Sequence, residues 1–375
     1  MIVISIFSII LTLLYAGVVL FLRKGWRNIL PFTLMGSQPT TKISVIIAAR
    51  NEEDKIALTI NDILSQSYPT DLFELIVVDD HSTDSTAEII KSYENKGVRL
   101  IKLNESEPLN SYKKKAIAEA IKESSGELII TTDADCRMDK NWLSTIVNYY
   151  EENDYKLISS PVAFFEEKNS FEELQTLEFL FLIGLGAAGI GNKIPSTCNG
   201  ANLCYRKDVF LELGGFKGID DLASGDDELL LHKIASAYPN SIGFCKSYDA
   251  VVFTHAKENL KEFIQQRKRW ASKSVKYKDK RIVVLAIAVW LFNLSFIINL
   301  IGGMFVPLLL NVFCLQFFIK FFAEILFLER VTNFAKRRSL LVFLPVLTVI
   351  HVVYFIYIGI AGNSGKYNWK GRMVR

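Results

Sequence analysis

Glu127-Leu128-Ile129-Ile130-Thr131-Thr132-Asp133-Ala134-Asp135 is the stretch on which the fold turns. Its first six residues make a short, largely apolar run with β-branched side chains, the pattern of a strand buried in a sheet. Two carboxylates, one residue apart, close it. An Asp-x-Asp at a strand exit offers two hard oxygen ligands to one divalent cation and leaves positions open for diphosphate oxygens. The same pair also fits a plain strand cap or turn, and the surrounding sequence has to separate the two readings.

Upstream, the chain repeats one pattern. Ile43 to Ala48 is an apolar run that ends in Arg50-Asn51-Glu52-Glu53, and helical spacing follows from Lys55 to Gln66. Leu75 to Val78 ends at Asp79-Asp80, and Ser82 to Tyr93 has the small polar start of a helix. Val98 to Leu103 gives a third strand, Lys113 to Ser124 a helix, and Glu127 to Thr132 the fourth strand. Alternation of this kind predicts a parallel sheet covered on both faces, with ligands at the carboxyl ends of the strands. All three polar clusters fall at those ends.

Composition adds a second region. With 375 residues, 50% of them hydrophobic and 12% aromatic, and a mean hydropathy of +0.24, the chain is too apolar for an ordinary soluble enzyme. Met1 to Leu22 carries no charged side chain and at ~1.5 Å per residue is long enough to cross a ~30 Å hydrocarbon core. It runs straight into Arg23, Lys24 and Arg27, which predicts an uncleaved anchor rather than a signal peptide. By the positive-inside rule the domain that follows is cytoplasmic.

Ile282 to Ile301, Gly302 to Leu328 and Leu340 to Ile360 are further spanning candidates, with Arg330, Lys336, Arg337 and Arg338 marking a cytoplasmic turn. Lys320 and Glu324 interrupt the middle block; they either pair on one helical face or mark an exit near Phe317. Three spans would put the basic tail outside, against the same rule, so one block is expected to be interfacial or re-entrant. The expected order is an anchor at 1–22, a linker at 23–40 with Pro31, Gly36 and Pro39, and a cytoplasmic domain at 41–280. A membrane region of two or three helices at 281–362 and a basic tail at 363–375 complete it.

The net charge of +3 is too small to suggest nucleic acid, and the basic residues sit near apolar segments, where they face anionic headgroups. Five cysteines, at spacings without a C-x-x-C pair, fit a reducing compartment.

Three ordered motifs now resemble a family: Ile43-Ser44-Val45-Ile46-Ile47-Ala48-Ala49-Arg50-Asn51-Glu52, then Val77-Val78-Asp79-Asp80-His81-Ser82-Thr83-Asp84, then Thr132-Asp133-Ala134-Asp135. They look like the family 2 glycosyltransferases of GT-A fold. Ser224-Gly225-Asp226-Asp227-Glu228 and Gln266-Arg267-Lys268-Arg269-Trp270 extend the likeness over most of 41–280. The resemblance implies an α/β GT-A domain, a Rossmann-like and mostly parallel sheet for a nucleotide-diphosphate sugar, flanked here by transmembrane helices. It also implies inverting hexosyl transfer, from UDP-sugar, with Mg²⁺ or Mn²⁺.

Chemistry and resemblance together give the candidate roles. Asp79 and Asp80 can accept hydrogen bonds from a nucleobase and ribose, and the resemblance adds Ala49, Arg50 and Glu52 to donor binding. Lys113 and Lys114 open the helix before the Asp-x-Asp strand and are expected to meet diphosphate, or else to form a solvated basic face. The family has glycine before this pair, where Tyr112 stands. Asp135 is the expected metal ligand, with Asp133 shared between metal and donor. By analogy with the family's acidic pair, Asp227 is the base that deprotonates the acceptor hydroxyl, and Asp226 orients it.

Gln266, Arg267, Arg269 and Trp270 put cations and an indole on about one and a half helical turns. They are expected at the diphosphate, with Trp270 also stacking on the acceptor; a basic membrane-edge helix has the same composition. Asn199-Gly200-Ala201-Asn202 is similar to the family's acceptor-site Gly-Ala-Asn, so Asn199, Gly200 and Asn202 are acceptor candidates. Phe179 to Gly191, apolar with four glycines, is too short to span securely and reads as a core helix or an interfacial helix delivering a lipid acceptor. The histidines have no metal-site spacing, although His255 is expected near the site. Trp369-Lys370-Gly371-Arg372 resembles the tail of membrane-bound members of the family.

The expected function is transfer of a sugar to a lipid or glycan acceptor by an integral membrane protein, of a bacterial inner membrane. A processive polysaccharide synthase is the alternative within the class. A sugar nucleotidyltransferase would need a glycine-rich phosphate loop near the first strand, where Ala48-Ala49-Arg50-Asn51-Glu52 stands; a non-catalytic membrane scaffold is the third reading. Sugar, acceptor and oligomeric state are left open by the sequence.

Overall fold

The computed structural model describes residues 1–34, 38–105, 109, 111–272, 280–361, 367–369 and 372–374. Gly36 of the expected linker, and Lys370 and Gly371 of the basic tail, lie outside the described residues. Helix α1 (Ile2–Asn28) comes first. It does not stop at Leu22, because the residues from Arg23 to Asn28 include no proline, the single Gly25 costs only about 1 kcal/mol, and Pro31 is the first proline. The expected alternation follows: β1 (Ile43–Ala49), α2 (Ile56–Leu64), β2 (Phe73–Asp79), α3 (Thr86–Lys91), β3 (Val98–Lys102), α4 (Tyr112–Glu123) and β4 (Leu128–Asp133). Next come β5 (Arg137–Met138), α5 (Trp142–Glu151), β6 (Leu157–Ser159), β7 (Val162–Phe164) and α6 (Ser170–Gly191). β8 (Leu203–Arg206), α7 (Lys207–Glu212), α8 (Glu228–Ala237), β9 (Ile242–Phe244) and β10 (Val252–Thr254) complete the mixed part. Helices α9 (Leu260–Ser272), α10 (Lys280–Gly303), α11 (Pro307–Phe334) and α12 (Leu344–Ala361) lead to two short strands, β11 (Tyr367–Trp369) and β12 (Arg372–Val374).

The chain divides into two compact units, and the division differs from the expected 41–280 boundary. One unit is built chiefly from Ile29–Glu166 and Gly189–His255; the other gathers the described residues of Met1–Asn28, Glu167–Ala188 and Ala256–Tyr367. Most of α6 and all of α9 therefore belong with the long apolar helices.

The first unit holds a seven-stranded sheet of order β3-β2-β1-β4-β8-β6-β9 and a three-stranded sheet of order β5-β10-β7. Pairing is parallel from β3 through β4. β8 then runs antiparallel to both β4 and β6, so the sheet is mixed rather than wholly parallel. β1 and β4 are central and almost fully buried, which explains why their sequences are apolar without alternation.

Among the described residues, five helices, lying chiefly in the second unit, are long and apolar enough to cross a membrane by length and composition: α1, α6, α10, α11 and a stretch covering Arg338–Ala361. The apolar segment expected at Phe179 begins nearer the N-terminus, at Ser170, because Asn169 caps it: Asn169 Oδ1 accepts from Glu172 N at 3.1 Å. Gly184 of α6 lies against α11, where an added Cβ would come within 2.8 Å of Val331; small residues let helices approach this closely.

α11 is unbroken through Phe317, and Lys320 and Glu324 within it do pair. Lys320 Nζ meets Glu324 Oε1 at 2.6 Å, both side chains buried, and Glu324 also accepts from Tyr15 Oη at 2.5 Å and Thr348 Oγ1 at 3.4 Å. Replacing Glu324 by Ala strands a buried ammonium, and we expect a loss of about 3–5 kcal/mol. The double replacement Lys320→Leu/Glu324→Leu should recover most of it; melting of the purified variants in detergent tests both.

Candidate functional site

The polar clusters after β1, β2 and β4 meet at one edge of the sheet. Parallel register sets Ala49 opposite Asp79 and Ala48 opposite Asp133, so the three loops emerge side by side. The first two are laced together. Arg50 Nη1 donates to the carbonyls of Asp80 and His81 at 2.8 and 2.6 Å, Asn51 N donates to Ser82 Oγ at 3.1 Å, and Thr83 N donates to Asn51 Oδ1 at 2.9 Å. Glu52 N donates to Thr86 Oγ1 at 2.8 Å. Asn51 and His81 sit at φ 49° and 53°, a sparsely populated region for side chains with a Cβ, and the mutual bracing holds them there. Asp79 and Asp80 are buried at this junction, Asp79 Oδ1 accepting from Ser82 N at 3.3 Å and Asp80 Oδ1 lying 3.0 Å from His81 Nδ1.

The Asp-x-Asp turn is fixed from beneath. Thr59 of α2, fully buried, donates Oγ1 to the carbonyls of Ala134 and Cys136 at 2.9 and 2.8 Å. Asp133, Asp135 and Cys136 then present one carboxylate oxygen each, or the sulfur, within 4.8 Å of one another. Burial, and then the charges of Asp135 and Asp133, push the Cys136 thiol up. Two ionised oxygens on a rigid turn fit a hard divalent cation such as Mg²⁺ or Mn²⁺ better than a thiophilic one.

Lys113 joins this turn to the later acidic pair. Its Nζ lies 2.7 Å from Asp133 Oδ1 and 3.2 Å from Asp226 Oδ2. A cation in the first turn of α4 opposes that helix's own dipole. Burial also works against its charge, but Asp133 and Asp226 outweigh burial and hold the ammonium above the usual lysine range.

Asp227 caps α8, its Oδ1 accepting from Glu228 N at 2.6 Å, while Oδ2 accepts from Gly200 N at 3.1 Å. A Cβ on Gly200 would fall 3.1 Å from Asp226 Oδ2 and 3.3 Å from Asp227 Cβ, so glycine permits this approach. Thr131 of β4 donates to the Gly200 carbonyl at 3.0 Å, which ties that turn to the strand carrying Asp133. β10 pairs with β5 through Phe253 and Arg137, bringing the strand before His255 next to the segment after Asp135. His255 Nε2 lies 3.2 Å from Glu166 Oε2.

Three expectations need correction. Lys114 does not face a diphosphate: its side chain is buried, and its ammonium donates to the carbonyls of Ile219, Leu222 and Ser224 at 2.6, 2.8 and 2.8 Å. Those three bonds match the three donors of an ammonium. Asn202 is not an acceptor contact either. It is fully buried, accepts from Trp142 Nε1 at 3.0 Å and donates to the carbonyls of Pro161 and Ala250 at 2.7 Å each. Arg267, in the other unit, is buried against Glu178 of α6 and stacked on Phe263 and Trp270, at 4.6 and 4.2 Å from its guanidinium carbon. Gln266 accepts from Arg267 Nη1 at 2.6 Å, and Tyr354 Oη donates to Glu178 at 3.2 Å. Thr59, Thr131 and Trp142 had no signal in the sequence, since a buried Thr or Trp in an apolar run has the look of core.

Residues 44–214 match the family described as Glycosyl transferase family 2. The probable glycosyltransferase YdaM of Bacillus subtilis is 28% identical over 362 residues, covering 85% of this chain and 83% of that protein. Glycosyltransferase AglE of Haloferax volcanii is 30% identical over 193 residues, 49% of this chain and 58% of that protein. Among solved structures, the mannosyltransferase PcManGT from Pyrobaculum calidifontis, determined with GDP-Man and Mn²⁺, matches with a TM-score of 0.57 at 17% identity. The match covers 93% of this chain and 99% of that one. The mixed unit is thus an α/β GT-A domain.

Replacing Thr59 by the isosteric Val removes the donor to two buried carbonyls and should cost about 1–3 kcal/mol. Thermal unfolding of Thr59→Val beside the parent protein measures it; an unchanged melting temperature would rule the brace out.

Proposed function

We propose that this chain, whose residues 44–214 match Glycosyl transferase family 2, is an integral membrane enzyme of that family that transfers a hexose, with inversion, from a UDP-sugar to a lipid or glycan acceptor. The observation that carries the reading is that Lys113 bridges Asp133, at the exit of β4, to Asp226, just before α8, while Asp135 lies beside Asp133. Asp135, with Asp133, would hold Mg²⁺ or Mn²⁺, which supplies positive charge to the departing diphosphate.

The chain's own groups do the rest. Asp79 and Asp80, presented by the loops that Arg50 braces, accept hydrogen bonds from the nucleoside, and the backbone from Ala49 to Glu52 lines the same edge. Lys113 adds positive charge beside Asp133, so the diphosphate meets it as negative charge builds. The acceptor oxygen bonds to the anomeric carbon as the carbon–diphosphate bond breaks, and Asp227 takes the hydroxyl proton. Its cap position and the N–H groups of Glu228 and Gly200 hold the carboxylate oriented. Asp226, bound to Lys113, keeps this pair in register with the metal turn, and Asn199 and Gly200 border the acceptor side.

The five apolar helices support membrane insertion, with α1 as the anchor and the sugar-nucleotide domain cytoplasmic. Gln266, Arg269 and Trp270 remain our candidates for diphosphate and acceptor contacts. Single transfer is the version we take over processive synthesis, because Arg267 of the Gln-Arg-Lys-Arg-Trp motif is committed to Glu178. A product carrying one sugar, rather than a polymer, is the matching outcome.

A screen of UDP- and GDP-sugars with Mn²⁺ should reveal the donor as a rise in melting temperature, since ligands that bind the folded state stabilise it by mass action. Asp133→Ala and Asp135→Ala should lose that rise and the metal-dependent release of nucleotide. Asp227→Asn should keep donor binding but lose transfer by about 100-fold or more, the usual scale for a general base. Full transfer by Asp227→Asn would remove it from that role.

A further inference from the structure

We propose that Lys114 is a positioning residue for the Asp226-Asp227 pair: its ammonium, seated among three backbone carbonyls, fixes the loop that presents those carboxylates. This rests on the assignment of Asp227 as base.

From Leu213 to Asp227 the chain has no regular helix or strand, and Gly214, Gly215, Gly218 and Gly225 all take positive φ. Within this loop Lys217 N donates to the Gly214 carbonyl and Ile219 N to the Phe216 carbonyl, at 3.1 and 3.0 Å, and the carbonyls further along need partners too. Lys114 supplies them at Ile219, Leu222 and Ser224. Lys114 is 1% exposed, and burying a charge that deeply is tolerated only when its donors are used.

The location gives this arrangement a catalytic consequence. Ser224 lies two residues before Asp226, with only Gly225 between, and Gly225, at φ +87°, is packed so that an added Cβ would fall 2.9 Å from the Leu229 side chain. Displacement of the Ser224 carbonyl therefore passes directly to the carboxylates. The outer part of the loop has a separate anchor, since Lys233 Nζ donates to Gly215 and Lys217 carbonyls at 2.7 and 2.9 Å. The inner part relies on Lys114. Because Lys113 and Lys114 are consecutive on the first turn of α4, the same turn grips the acidic pair twice. Lys113 takes the Asp226 side chain, and Lys114 takes the backbone leading to it.

The test uses the full-length enzyme in detergent. Lys114→Met should bind the nucleotide-sugar with Mn²⁺ as the parent does, because Asp79, Asp80, Asp133 and Asp135 are untouched. Its kcat should fall about 100-fold, the scale of a misplaced catalytic group, with KM for the donor within about two-fold. Tryptic cleavage after the exposed Lys217 should accelerate, a readout that needs no substrate. In Lys114→Ala, added ethylammonium should restore part of kcat by reoccupying the carbonyls. If the Met variant does not fold, Lys114→Gln, which keeps two donors, should still lose kcat with KM unchanged. Parental kcat in either folded variant, or a loss confined to donor KM, overturns the proposal. A parent protein that binds no sugar nucleotide refutes the functional reading instead, and the tryptic comparison then still reports whether Lys114 orders the loop.

Discussion

The in-register parallel pairing of β1 with both β2 and β4 is the constraint on which the rest depends. Parallel strands share a direction, so their carboxyl ends lie along one edge, and side chains far apart in sequence converge there. With the order β3-β2-β1-β4, successive connections leave β1 on opposite sides, and a crevice opens between the loops after β1 and β4. A register slip of one residue would turn Asp133 away from the face it shares with its partners. The near-complete burial of β1 and β4 guards against such a slip, since it would exchange the side chains packed on the two faces of the sheet.

On that frame the site is an exercise in charge balance. Asp133, Asp135 and Asp226 would repel one another, and Lys113, set against the field of its own helix, draws two of them together. Neutral groups do the positioning. Thr59 fixes the metal turn, Thr131 fixes the Gly200 turn, and backbone N–H groups fix Asp227. Rigid placement by neutral donors lets the charged groups keep oxygens turned toward a ligand.

The helical unit follows the same rule in an apolar setting. Gln316 donates to Thr12 Oγ1 and Ser295 Oγ at 3.1 Å each and accepts from Asn299 at 2.7 Å, one helical turn from the Lys320–Glu324 pair. Each of these polar residues interrupts an apolar helix, and each finds a partner on another helix or on its own. Arg267 with Glu178 and Tyr354 continues the pattern. Polar contacts of this kind select one packing among the many that apolar surfaces alone would permit.

Local pattern by itself determined the strands, their polar exits, the helices between them and the long apolar segments, because burial on a sheet face or in a bilayer imposes a period that is read within a few residues. It also marked Asp79, Asp133 and Asp226 as candidates for one site, and Lys113 pairs with two of them. What only the tertiary structure decided is which polar side chains serve a ligand and which serve the fold. Lys113 and Lys114 are adjacent and chemically identical, yet one turns to carboxylates and the other to a loop about a hundred residues away. Arg267 has the composition of a phosphate ligand and is bound by Glu178, while Asn202 stands in an acceptor-like motif and holds the core. The start of α6 is written locally in Asn169, but its membership of the helical unit is not. The physical reason is common to all of these. A hydrogen bond or ion pair is specified by two partners, and when they lie far apart in sequence neither one's neighbourhood carries the identity of the other.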